Sequence, residues 1–200
     1  MRVFITGTDT DVGKTTISSW LCLHTGYDYF KPIQTGTVTD SDALRRLSHS
    51  TIHAEVFCYS QPLSPHAAAR YDGGSIALDR ITLPATDRLI VEGAGGVLVP
   101  LNDQDLMIDL IKHLGLPVIL VARSTLGTIN HTLLSLEALR QRNITVLGVI
   151  LSGPENPGNA QAIETYGSTT ILAQLPWLEA ITADALRAIP LDPKLVEVLT

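Results

Sequence analysis

Residues 2–16 read RVFITGTDTDVGKTT, and the fold turns on how this stretch is parsed. Arg2 to Thr6 is a short apolar run that stops at Gly7, the pattern of a strand entering a turn. Thr15 to Leu23 reads as a helix. Between them, Gly13-Lys14-Thr15 matches the end of the G-x-x-x-x-G-K-[ST] pattern, yet five residues, not four, separate Gly7 from Gly13. Strand, glycine, lysine, hydroxyl and helix start are together the parts of a phosphate-binding loop. Backbone N–H groups at a helix N-terminus point at an anion, and the helix dipole favours negative charge. Lys14 would reach the β- and γ-phosphates and Thr15 would offer its hydroxyl to Mg²⁺. The loop is also acidic, with Asp9 and Asp11. Carboxylates beside a triphosphate repel it unless they face away or meet a cation, which points to a second substrate carrying an amine.

Working outward, Tyr27 to Phe30 reads as a second short strand leading into Lys31-Pro32, and Asp40-Ser41-Asp42 as a capped helix start. Residues 50–87 read as irregular, with short helices and a Ser64-Pro65-His66 turn. Leu89 to Val91 is an apolar run ending at Glu92 and GAGG; Pro117 to Ala122 and Thr145 to Leu151 are continuous apolar runs of the kind covered on both faces. A helix is predicted over Thr128 to Arg142, a last strand over Ile171 to Ala173 and a final short helix over Asp192 to Leu199. Alternating strands and helices predict one α/β domain over residues 1–200, with a doubly wound, mainly parallel sheet flanked by helices.

Composition narrows the function classes. The chain has 200 residues, enough for one sizeable core, and its 45% hydrophobic content is mostly Leu, Ile, Val and Ala. A net charge of −6 and only four lysines leave no nucleic-acid footprint. No run approaches the roughly 18 apolar residues of a membrane span, and the N-terminal apolar run is too short for a signal peptide. Cys22 and Cys58 have no metal-type spacing and read as reduced thiols. A soluble, cytoplasmic protein is the expectation.

Three further residues could complete a phosphate site. Glu92 ends an apolar strand, as a Walker-B acid does, and its carboxylate could hold Mg²⁺ directly or through water. The glycines after it permit close approach of a ligand. Asp42 is either a plain N-cap or a metal ligand; spacing alone does not choose. Lys31 stands at a strand end in a chain where lysine is scarce. His66 and His131 read as structural, and Trp20 as core.

GTDTDVGKT (7–15), KPIQTG (31–36), SDA (41–43), SPH (64–66), VEGAGG (91–96), LPVILV (116–121), LGTINH (126–131) and LPW (175–177) together resemble the dethiobiotin synthetase family across nearly the whole chain. The widened loop is itself a trait of that family. The resemblance implies an ATP- and Mg²⁺-dependent ligase that makes dethiobiotin from 7,8-diaminononanoate and CO₂ (or bicarbonate), releasing ADP and phosphate, and that works as a homodimer. It implies Lys14 and Lys31 as catalytic groups and Thr15, Asp42 and Glu92 as metal ligands. Nucleotide contacts would come from Asp11, Val12, Gly13, Lys14, Thr15, Thr16, Asp42, Glu92, Gly93, Ala94, Gly95, Ser152, Pro176 and Trp177. Thr10 and Thr35 would face the diamine, and backbone groups of Gly127, Thr128, Ile129 and Asn130 from the partner subunit would bind its carboxylate.

The chain departs from that pattern in places. Asp11 stands where the family commonly has Glu, and the run from Lys14 to Lys31 is short. Ser152 stands where an Asn often reads the adenine edge; a hydroxyl cannot make that paired contact, so Ser152, Asn156 or backbone must substitute, with weaker base selectivity expected. A partition- or septum-site-type ATPase, using nucleotide as a dimer switch, is the main alternative. Such proteins carry an extra lysine early in the loop, where this chain has Gly7-Thr8. A cobyrinic-acid-type amidotransferase would need a glutaminase domain for which 200 residues leave no room. A non-catalytic nucleotide-binding module fits poorly with the acidic loop and Lys31.

Overall fold

The computed structural model describes residues 1–200. Its elements are β1 (Arg2–Gly7), α1 (Lys14–Thr25), β2 (Asp28–Phe30), β3 (Ile33–Thr35), α2 (Asp40–Leu47), β4 (Ile52–His53), β5 (Phe57–Tyr59), α3 (Pro65–Tyr71), β6 (Leu89–Gly96), α4 (Met107–Leu114), β7 (Val118–Arg123), α5 (Thr128–Gln141), β8 (Val146–Ser152), α6 (Pro157–Gly167), β9 (Ile171–Leu175), α7 (Ala183–Arg187) and α8 (Pro193–Leu199). Seven strands pair in the order β4-β2-β6-β1-β7-β8-β9. Every pairing is parallel, so all strand C-termini open on one edge. β3 and β5 form a separate parallel pair beside this edge.

The continuous apolar runs have a physical reason. Side chains alternate across a strand, and here both faces are covered. Val3 and Ile5 of β1, Ile119 and Val121 of β7 and Ile150 of β8 pack with Ile17, Trp20 and Leu21 of α1 and with Leu186, Leu195 and Leu199 of the C-terminal helices. Phe4, Leu120, Ala122, Val149 and Leu151 face the opposite side, against Met107, Ile108 and Ile111 of α4, Leu136 and Leu139 of α5 and Ile163 of α6. The sheet is therefore wound on both faces, as the run pattern predicts. Trp20 is core, its Nε1 donating to Ile189 O at 2.8 Å.

β1 is central, and the chain leaves it in opposite directions: towards β2 and β4 on one side, and later towards β7, β8 and β9 on the other. In open α/β sheets, this reversal leaves a crevice at the strand C-termini, where ligands bind. The widened glycine-lysine loop lies in it.

Residues 50–87 hold more order than expected: two short strands, α3, and a single 3₁₀ turn at Leu78–Arg80. Helices α4 and α6 also went unpredicted. α6 carries a plain signal, with Asn156 Oδ1 accepting from Asn159 N and Pro157 at its first turn. α4 is fixed by Asp109, which accepts the Leu106 N–H at 2.9 Å, and by Gly115 in the left-handed region at its C-terminus.

Candidate active site

The loop 8–13 folds back over the end of β1. Thr8 N donates to Val121 O at 3.0 Å, tying the loop to β7. A Cβ on Gly7 would lie 2.7 Å from Val12 Cγ2 and 2.9 Å from Asp9 O, so only glycine lets the chain double back here. Gly13, at φ 95°, then caps α1 without any side-chain hydrogen bond, and the first turn carries no acidic residue. The opening N–H groups of α1 thus face the crevice with no side-chain cap.

The crevice has a volume of about 830 Å³. At its base, four elements bring charged groups together. Lys31, following β2, is 3% exposed; its Nζ lies 2.5 Å from Asp40 Oδ2, 3.2 Å from Glu92 Oε1 and 3.2 Å from Gly93 O. Thr15 Oγ1 lies 2.9 Å from both Asp40 Oδ1 and Glu92 Oε1. A hydroxyl carries one proton, so only one of these two contacts is a hydrogen bond at any moment. Tyr29, fully buried, donates its hydroxyl to Glu92 Oε2 at 3.0 Å. Lys14, 7% exposed, donates to Asp9 O at 2.9 Å.

The electrostatics follow from burial and sign. Burial pulls the Lys14 ammonium below the ordinary lysine value, opposed by the charge of Glu92 and reinforced by that of Lys31. Burial acts the same way on Lys31, but there Glu92 and Asp40 outweigh it and hold the ammonium above its ordinary value. Lys31 is a fixed positive charge at neutral pH. Burial, then the charge of Glu92, pushes the Tyr29 phenol well above its ordinary range.

Most residues expected at the site line this crevice: Thr10 to Thr16, Lys31, Thr35, Glu92, Ala94, Gly95, Ser152, Pro176 and Trp177. The structure corrects others. Asp42 does not reach the cluster. Thr39 caps α2, accepting from Asp42 N, and the Asp42 carboxylate lies half-exposed, 2.6 Å from Arg45. Residues two apart on a helix point about 200° apart, so Asp40 takes the inward place. The Asp40 N–H is held by Gln34 Oε1 at 3.1 Å. Gly93 offers its carbonyl to Lys31 but lies behind the crevice wall, packed by Phe4 and Met107. Asn156 is engaged as the cap of α6 and lies outside the crevice. Gly127, Thr128, Ile129 and Asn130, expected to serve a partner subunit's site, line no part of the crevice of their own chain, which leaves that expectation unchanged. His66 sits in the turn before α3, its Nδ1 3.1 Å from Ser64 Oγ, and His131 is exposed on α5. The sequence reading missed Tyr29, Gln34, Asp40 and Arg123. Of these only Asp40 carried a usable signal, as one of two acids in Asp40-Ser41-Asp42.

No group of three or more His, Cys, Asp or Glu side chains is placed to hold a metal ion. The donor set at the base is two carboxylates and a hydroxyl, all hard oxygen. That suits Mg²⁺, which keeps several waters and takes one or two carboxylates along with substrate phosphates. The proton-poor contact of Thr15 with two carboxylates fits the same cation.

Sheet, loop and buried ammoniums define a nucleotide-binding P-loop protein of the α/β class. A family model described as "AAA domain" matches residues 1–185. Among curated proteins, the chain is 57% identical to the ATP-dependent dethiobiotin synthetase BioD of Lawsonia intracellularis, over 98% of this chain and 97% of that protein. It is 51% identical to that of Paramagnetospirillum magneticum, over 94% of each. Among solved structures it is similar to a ParA family ATPase from Chlorobium tepidum, with a TM-score of 0.58, 15% identity and coverage of 98% and 92%. It is also similar to HypB from Helicobacter pylori, with a TM-score of 0.52, 15% identity and coverage of 100% and 87%. These two likenesses show the fold alone. The chain belongs to the ATP-dependent dethiobiotin synthetase family: it is an ATP-dependent ligase of biotin biosynthesis. No helix is long and apolar enough to cross a membrane.

Proposed function

We propose that this chain, acting as one domain in the cytoplasm, closes the ureido ring of dethiobiotin from 7,8-diaminononanoate and CO₂. One amine adds to CO₂ and loses a proton, giving a carbamate. A carbamate oxygen attacks the γ-phosphorus of ATP and ADP leaves. The second amine attacks the carbonyl carbon of the mixed anhydride; the C–O bond to phosphate breaks, a proton is lost and the ring closes.

The observation that carries this reading is Lys31: an ammonium 3% exposed, fixed by Asp40 and Glu92 beside the phosphate loop. Phosphoryl transfer needs positioning and charge neutralisation more than covalent help. Lys14 binds the β- and γ-phosphates when it leaves Asp9 O. Lys31 neutralises charge on the carbamate and the transferred group. Thr15, Asp40 and Glu92 would hold Mg²⁺, which supplies neutralisation of the β- and γ-oxygens. Thr10 and Thr35 face the diamine. Gly127 to Asn130 open α5 with Gly127 at φ 94°, and these N–H groups from a second copy of the chain would bind the diamine's carboxylate. The site is then completed by a homodimer.

The test is phosphate release from ATP with diamine and bicarbonate each omitted in turn. Release that needs both supports ring closure; full-rate release without the diamine refutes it. Lys31→Gln is expected to lower turnover by a factor of about a hundred or more while ATP still binds. Turnover near wild type in that variant removes Lys31 from the chemistry.

A further inference from the structure

The widened loop poses an electrostatic problem: it carries a carboxylate, Asp9, next to the position of a triphosphate. Arg123 answers it. This side chain ends β7 and lines the nucleotide crevice on the wall formed by β7 and β8. Its Nη2 donates to Asp9 Oδ2 at 2.9 Å. The other carboxylate oxygen, Oδ1, accepts the Thr10 N–H at 2.7 Å, and the Asp9 carbonyl accepts from Lys14 Nζ at 2.9 Å. One loop residue therefore contacts both cations on this side of the crevice, the carbonyl taking Lys14 and the carboxylate taking Arg123. Asp9 lines a second, smaller hollow of about 340 Å³, with Gly96 and His131, whereas Arg123 lines the first. The ion pair stands at the boundary between the two hollows.

We propose that Arg123 is a positioning residue for nucleotide binding, neutralising Asp9 so that this carboxylate does not add to the charge of Asp11, which lines the crevice, when the loop meets a triphosphate through Lys14 and its backbone N–H groups. The proposal rests on the nucleotide half of the reading above and is independent of ring closure. The pair is half-exposed, 45% and 53% for the two side chains, so its worth to folding is small. Its effect on a bound polyanion is larger, because an uncompensated unit charge several ångströms from a triphosphate, even in a water-like medium, opposes binding by on the order of tenfold.

The experiment is calorimetric titration of Mg-ADP and Mg-ATP into four full-length proteins at low salt: wild type, Arg123→Gln, Asp9→Asn and the double variant. Arg123→Gln leaves Asp9 uncompensated and is expected to weaken both nucleotides about tenfold. Asp9→Asn frees a positive charge and is expected to bind as tightly as wild type or tighter. The double variant should return to within about twofold of wild type, and the Arg123→Gln defect should shrink in high salt. A merely structural clamp predicts the reverse, since Asp9→Asn also breaks the clamp and would then weaken binding. The proposal is overturned if Arg123→Gln binds normally, or if Asp9→Asn fails to restore it. Titration of nucleotide alone keeps this result separate from any failure of the ring-closure assay.

Discussion

Ser152 ends β8 with its side chain against the phosphate loop: a Cβ on Gly13 would lie 2.7 Å from Ser152 Oγ. The hydroxyl is thus a packing neighbour of the loop, and Gly13 has no room for a side chain beside it. Beyond it, the crevice continues along Gly153, Pro154, Leu175, Pro176, Trp177, Leu178 and Ile181. This end offers backbone and apolar surface, with Trp177 79% exposed at its rim. Gln174 could have supplied an amide, but its Nε2 is already given to Gly153 O and Pro154 O, at 3.3 and 2.8 Å. Discrimination by ten-thousandfold requires buried polar groups that a wrong substrate leaves unpaired. The side-chain polar groups lining this end are the Ser152 hydroxyl and the indole N–H of the exposed Trp177, neither of which offers a paired donor and acceptor. Turnover with GTP and CTP is accordingly expected within about a hundredfold of that with ATP. Rejection of both by four orders of magnitude would show that some group reads the base edge after all.

Helix α2 decides which acid enters the site. Thr39 is its cap, and with the cap fixed the helical rotation sends Asp40 to Lys31 and Thr15 and sends Asp42 to solvent and Arg45. Asp40→Asn removes a carboxylate from Lys31 and from the oxygen donors beside Thr15. It is expected to lower turnover by roughly a hundredfold and to raise the Mg²⁺ concentration needed for half-maximal rate. Asp42→Asn loses only a solvent-screened surface pair with Arg45 and a first-turn charge, so stability and turnover are expected close to wild type. Equal damage from the two variants would reverse this assignment. The same helix shows how far sequence alone carries the site. The helix start was legible from Asp40-Ser41-Asp42, because small polar residues before an apolar one mark a cap. Which acid faces inward was not legible, since it depends on whether Thr39 or Asp40 caps, a one-residue difference decided by Gln34 holding the Asp40 N–H. The loop, Lys31 and Glu92 were legible because each sits at the end of an apolar run, where chain direction fixes the position. Tyr29 and Arg123 were not, because their roles come from strand neighbours distant in sequence. The short strands β3, β4 and β5 were hidden for a related reason: two or three residues are too few to show alternation.

The whole molecule, covered on both faces of its sheet, places its two thiols in opposite environments. Cys22 is buried on α1 among the residues packed under β1, and burial pushes its thiol up to about 12. Cys58 is exposed on β5. An alkylating reagent at pH 8 is therefore expected to label Cys58 in the native protein and Cys22 only on unfolding. The same burial links stability to alkaline pH. The unfolded thiol loses its proton near 9.0, whereas the native one keeps it to about 12. Between these values the native state binds more protons than the unfolded state, so stability falls as pH rises, by at most about 1.4 kcal/mol per pH unit from this group. Lys14 works in the opposite direction, because its lowered native value makes the unfolded state the one that binds more protons below 10.5. Comparing wild type with Cys22→Ala cancels that contribution, as both proteins carry Lys14. Urea midpoints measured from pH 8.5 to 10.5 should fall more steeply in wild type than in Cys22→Ala, whatever the constant offset from the smaller side chain. Parallel curves would mean that Cys22 ionises in the native protein, and that the layer under β1 admits water.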